Sequence, residues 1–230
     1  MKLLSINSDA KTSKGNAKGY LTGIQYLAPL GIAQRGTVCP MASKGCAKAC
    51  LYTAGRGAFT ATQKARIART QYWADSPEQH AMQLREEVSA LVRTALKKGM
   101  APAVRLNGTS DISWEATKAK EVIQENGSVR FYDYTKSYSR MLAFLEGRFP
   151  SNYNLTFSRS ETNEADCISV LRAGGNVAVV FRNELPKTWK GFPVVSGDES
   201  DLRFLDPKGC VIGLIAKGKA KQDYSGFVVD

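Results

Sequence analysis

From residue 101 onward the chain repeats one pattern: a short apolar run, a polar cluster, then a segment with helical spacing. Residues 101–106 (APAVRL) end in Asn107-Gly108-Thr109-Ser110-Asp111, and a helix follows from 113 to about 125. Residues 129–134 (VRFYDY) end in Thr135-Lys136-Ser137, with a helix to about 145. Residues 153–157 (YNLTF) end in Ser158-Arg159-Ser160-Glu161, with a helix over about 163–173 that Gly174-Gly175 closes. Further apolar runs stand at 176–181, 193–196 and 211–216. Upstream, 20–30 reads as a first buried strand, and 60–73 as a helix carrying Lys64, Arg66 and Arg69. Asp75-Ser76-Pro77 breaks that helix and starts another, with Pro77 at its first position, where a missing N–H costs nothing. The second helix runs to about 98, with an apolar stripe of Met82, Val88, Leu91, Val92, Ala95 and Leu96, and Gly99 ends it.

Near-continuous apolar strands alternating with helices specify an α/β protein with a parallel sheet, because such strands are covered on both faces. The number of strands exceeds a small flavodoxin-type sheet, and no glycine-rich dinucleotide or phosphate loop follows any of them. The expected architecture is therefore a partial or complete parallel (β/α) barrel. In a barrel the functional rim lies at the C-terminal strand ends, and every polar cluster above falls there.

Residues 38–57 follow the first strand and land on the same rim. They read VCPMASKGCAKACLYTAGRG and hold Cys39, Cys46 and Cys50 in a C-x6-C-x3-C pattern. Thiolates brought together on one loop can converge on a single metal centre. A structural zinc takes four ligands and favours close cysteine pairs; three local thiols suit an iron–sulfur cubane with one iron left open, and zinc is the alternative. The bland reading is three ordinary thiols in a reduced compartment. Cys167 and Cys210 read as small buried hydrophobes. His80, the single histidine, reads as an exposed first-turn residue rather than a ligand.

Composition adds the following. The chain has 230 residues and a net charge of +11. Residues 1–70 hold eleven Lys or Arg against one acid, while 71–230 hold twenty-one against twenty. Residues 1–19, in which Lys alternates with small polar residues, read as a flexible basic arm, and 20–230 as one domain. The basic excess implies a polyanion, either nucleic acid or nucleotide, gripped by Lys11, Lys14, Lys18, Arg35, Lys44, Lys48 and Arg56. It also fits plain solubility, or compensation of thiolate charge. No secretory leader or membrane-length apolar run is present, so the expectation is a cytoplasmic protein that contacts no membrane.

A three-cysteine loop after the first strand of a βα barrel resembles the radical S-adenosylmethionine superfamily, although the usual spacing there is C-x3-C-x2-C. The wider spacing in Cys39-Pro40, Cys46 and Cys50-Leu51-Tyr52 is closer to the gene-eighty-eight-type phage family. Gly55-Arg56-Gly57 and the closing GDESDLRFLD and AKGKA segments share that resemblance, which implies a phage-encoded protein in a bacterial host. The superfamily resemblance implies that Cys39, Cys46 and Cys50 hold a [4Fe–4S] cluster whose open iron binds S-adenosylmethionine. It places Asn107 and Asp111 at the cofactor's amino group, Arg159 at its carboxylate, and Ser158 and Glu161 at its ribose. Tyr134, Lys136, Asp198, Asp201, Arg203 and Lys217 would face substrate. Each has a structural counterpart: Asp111 as a helix cap, Arg159 and Glu161 as a surface pair, Asp198 and Asp201 as turn residues, and Tyr132, Tyr134 and Tyr138 as packing. Two other readings stand beside the enzyme: a non-catalytic, metal-stabilised nucleic-acid-binding protein, and a metal-free barrel enzyme with incidental cysteines.

Overall fold

Strand order follows chain order across most of the sheet. In the computed structural model, which describes residues 1–7 and 10–230, the elements run β1 (Leu4–Ile6), α1 (Ala10–Asn16), β2 (Tyr20–Gln25), α2 (Lys44–Lys48), α3 (Thr60–Asp75), α4 (Pro77–Lys97) and β3 (Ala101–Arg105). They continue with α5 (Ala119–Glu125), β4 (Arg130–Thr135), α6 (Tyr138–Leu145), β5 (Tyr153–Ser158), α7 (Glu164–Arg172) and β6 (Val177–Phe181). The last are β7 (Thr188–Trp189), β8 (Phe192–Ser196), β9 (Val211–Ile215) and β10 (Val228–Val229). The spatial order is β1-β2-β3-β4-β5-β6-β9-β8-β7, with β10 beside β6.

From β2 to β6 each strand lies parallel to the next. Because parallel crossovers share one hand, a run that advances in one direction places its helices on one face. That face holds the main core: Leu84, Val88 and Leu91 of α4, Val122 of α5, Met141 of α6 and Val170 of α7 pack on Val104, Phe131, Leu155 and Val179. The opposite face is covered by the segment around 199–206. Leu202 and Phe204 lie against Ala103 and Tyr132, and Arg105 donates to both Asp201 carboxylate oxygens at 2.9 and 3.0 Å.

The sheet is mostly parallel and α/β, as expected, and it is open, so of the expected partial or complete barrel the complete form is not met. Two features prevent closure. Antiparallel β1 occupies the edge beside β2, and beyond β6 the order reverses so that β9 inserts before β8 and antiparallel β7 forms the far edge.

Residues 1–19, expected as a flexible arm, carry β1 and α1. The Glu87 carboxylate of α4 accepts the Leu3 and Leu4 N–H groups at 2.8–3.0 Å, and both leucines are buried.

The predicted start at Pro77 holds, but the buried stripe of α4 is Ala81, Leu84, Val88, Leu91 and Ala95, while Met82 and Leu96 face solvent. That stripe also buries His80, contrary to its expected exposure. Its Nε2 lies 3.0 Å from Gln25 Oε1, and its ring stacks on Trp114 with centroids 5.8 Å apart. Burial pushes its pKa down to about 4, below the unfolded value near 6.5. The neutral ring therefore contributes stability above pH 6.5 that is lost as pH falls toward 4. His80→Gln is expected to remove roughly 2 kcal/mol of that acid-dependent loss between pH 7 and pH 4.5, read as converging wild-type and variant stability in urea denaturation at the two pH values.

Candidate metal centre and cavity

The cysteine loop is held by local turns and by one distant carboxylate. Ser43 caps the five-residue α2, its hydroxyl accepting the Cys46 N–H at 3.2 Å. Glu161, beyond β5, accepts the Ser43 hydroxyl at 2.6 Å and the Gly45 N–H at 2.7 Å. Burial alone would raise the Glu161 pKa, but these hydrogen bonds outweigh it and hold the carboxyl below its usual range. Gly45 must be glycine here: an added Cβ would stand 2.7 Å from Phe227 and 2.8 Å from Glu161, and closer still to Ser225. On the other side, the Asp111 N–H donates to the Val38 carbonyl at 2.8 Å, and the Cys39 thiol points at the Thr109 carbonyl, 3.8 Å away.

Cys39, Cys46 and Cys50 are free thiols, partly buried, and all three line one cavity of about 370 Å³. Burial pushes the Cys39 thiol up to about 11, with Cys50, Asp111 and Cys46 adding to the rise. Burial also raises Cys50, aided by Cys46 and opposed by Lys136 and Arg66. The thiols thus sense one another, and nearby cations favour their ionised forms. Among the described residues, no group of three or more His, Cys, Asp and Glu side chains is arranged to hold a metal ion. The donor set is nevertheless soft and local, as a thiolate-bound centre requires. Cys167 and Cys210 are buried elsewhere, as expected.

Most of the residues expected at the rim share this cavity. Asn107, Asp111, Tyr134, Lys136, Ser158, Asp198, Asp201 and Lys217 line it together with Arg105 and Lys14. Several are already occupied by the protein. Asn107 Oδ1 accepts from Ser110, the Ile112 N–H and the Trp114 indole, which fixes the β3 rim loop. Asp111 accepts the Lys136 N–H at 2.8 Å and stands 3.6 Å from the Arg140 guanidinium, so its charge is matched within the chain. Asp201 holds Arg105, whose guanidinium lies 4.5 Å over the Tyr134 ring. Asp198 accepts the Ile215 N–H and pairs with Lys217, while its carbonyl accepts from Lys14.

Three residues expected at the rim do not border the cavity. Arg159 turns to the Gly226 and Phe227 carbonyls at 2.7 and 3.0 Å. Glu161 anchors α2. Arg203 is buried and lies 3.3 Å from Asp206. Each points into the covering segments because a backbone or an acid there satisfies its charge.

Of the basic residues, Lys18, Lys44, Lys48 and Arg56 are exposed. Arg35 is exposed and bonded to Asp75 at 2.6 Å. The Lys11 side chain lies outside the described residues. Sequence reasoning missed Arg105, Phe227 and the exposed Lys219 and Lys221, although the alternating KGKAK run was a visible signal. The short turn bearing those lysines, Gly218–Gln222, packs beside Leu51–Thr53. Leu51, Phe59 and Tyr224 are exposed apolar or aromatic side chains in the nearby sequence segments.

Fold and site together define an open, mostly parallel α/β protein with a three-cysteine loop docked over the cavity at its strand ends. The family of gene product 88 matches residues 1–230, and the chain belongs to it. Comparison with curated proteins and with solved structures finds no match. Among the described residues, no helix is long and apolar enough to cross a membrane.

Glu161→Ala removes both charge-assisted bonds to the first turn of α2, each worth about 1.5–3 kcal/mol. Alkylation of Cys46, followed by peptide mass, is expected to quicken by at least about tenfold, with far-UV circular dichroism unchanged.

Proposed function

We propose that Cys39, Cys46 and Cys50 hold a [4Fe–4S] cluster, and that the protein is a radical S-adenosylmethionine-type enzyme acting on a nucleotide or nucleic acid in a phage-infected cytoplasm. The observation that carries this reading is the lining of one cavity by all three thiols and by the polar ends of the parallel strands. When bound, the cluster supplies one electron for reductive cleavage of S-adenosylmethionine. The chain's own part is to present the thiols from one loop, to place Arg66 where it offsets thiolate charge, and to enclose the ligand away from bulk water. Zinc in the same loop is the structural alternative.

Anaerobically purified wild type is expected to contain iron and sulfide and to absorb broadly in the visible, and Cys39→Ala to lose both. Iron without binding or cleavage of S-adenosylmethionine would remove the enzyme and leave a structural cluster. Loading requires deprotonated thiols. With Cys39 raised to about 11, the thiolate fraction grows about tenfold per pH unit through neutrality, so cluster reconstitution is expected to accelerate steadily from pH 7 to pH 9.

The polyanion partner is supported by exposed Lys44, Lys48 and Arg56 in and after the cysteine loop, and by exposed Lys219 and Lys221 on the turn that packs beside Leu51–Thr53. Cations together with the exposed Phe59 ring suit a single strand, which offers both phosphates and bases. For single-stranded DNA, replacing Lys44 and Lys48 by Gln is expected to lower the slope of log affinity against log salt by about 1.4, at about 0.7 for each phosphate that is no longer neutralised. An unchanged slope would take this face out of the interface.

A further inference from the structure

Lys136 lines the cavity and keeps hydrogen-bond donors to spare among the described residues. Lys136 follows β4 and Ser158 ends β5, side by side on parallel strands in which Thr135 pairs with Phe157. Lys136 Nζ lies 3.2 Å from Ser158 Oγ and 5.7 Å from the centre of the Phe227 ring. Arg105 and Lys217, which share the cavity, each have an aspartate partner, and Lys14 donates to the Asp198 carbonyl. Among the described residues, no carboxylate lies within ion-pair distance of Lys136. An ammonium carries three donors, and Ser158 takes one. The Ser158 hydroxyl accepts from Lys136 and has no acceptor of its own among the described residues, so its hydrogen is free to turn into the cavity. Two donors from neighbouring strand ends then face the same space, beside an aromatic ring.

We propose that Lys136 Nζ and Ser158 Oγ form the anion-binding end of the cavity, receiving a carboxylate or phosphate oxygen of a small organic ligand that lies beneath the cysteine loop. This deepens the enzyme reading by naming the group that anchors the ligand, and it transfers to Lys136 the anion-binding part expected of Arg159. A cavity of about 370 Å³ is within the range of small-ligand sites and admits a nucleoside-sized molecule. Paired donors in a partly enclosed site favour an ionised oxygen over a neutral one.

The test is calorimetric titration of the full-length protein, metal-free and after anaerobic cluster loading, with three probes that share a nucleoside: S-adenosylmethionine, adenosine 5′-monophosphate and adenosine. At least one of the two probes that carry a carboxylate or phosphate group is expected to bind more tightly than adenosine, and which one does so separates a carboxylate from a phosphate ligand. Lys136→Gln and Ser158→Ala are each expected to weaken that probe, Lys136→Gln by about tenfold or more, with adenosine unaffected. Lys136→Arg is expected to retain most of the affinity. Equal binding of all three probes, or anion affinity indifferent to Lys136→Gln, overturns the proposal. So does loss of iron from Lys136→Gln, because the cation would then serve the thiolates. The cluster reading fails separately, on the iron and sulfide content of the wild type.

Discussion

Glu161 accepts a hydroxyl and a backbone N–H from the first turn of α2, and the placement of the thiols depends on that contact. A helix of five residues cannot sustain itself, because nucleation costs more than one turn of hydrogen bonds returns. Its stability therefore comes from outside: Ser43 within the loop, Glu161 from beyond β5, and the close seat that Gly45 permits against Ser225 and Phe227. Cys46 lies inside this clamped turn, and Cys50 follows it at the start of the next. Cys39 is tied from the opposite side through Val38 and the β3 rim loop.

A second constraint acts on the cavity floor. Arg105 and Asp201 are both buried and mutually bonded, and Tyr132 adds a hydrogen bond at 3.2 Å to the same carboxylate. A buried pair of this kind adds little net stability over apolar packing, but loss of either partner strands a charge. Its consequence here is positional. It fastens the segment around 199–206 across the sheet face that the helices leave uncovered, and so sets the wall opposite the cysteine loop.

Much of this was legible in the sequence. Alternating apolar strands and polar clusters marked the parallel sheet, Pro77 marked the start of α4, and most of the rim residues meet in one cavity at the strand ends. What was not legible depends on distant partners. Leu3 and Leu4, at the start of β1, are held by Glu87, more than eighty positions away, so composition alone suggested a loose arm. His80 is buried through Gln25 and Trp114, which no helical period reveals. Arg159, Glu161 and Arg203 have the right chemistry for ligand binding, yet nearby carbonyls, N–H groups and an acid use them first. Closure of the sheet depends on strand order beyond β6, and the reversal there leaves no mark in local hydrophobicity.

The seat of α2 includes Ser225 and Phe227, and β10 lies beside β6. Residues near 45 are thus held by residues near 226, which Arg159 fastens through their carbonyls. During synthesis the cysteine segment leaves the ribosome some 180 residues before its seat exists. The close seat of Gly45 against Ser225 and Phe227 can therefore form only after residue 227 has been made.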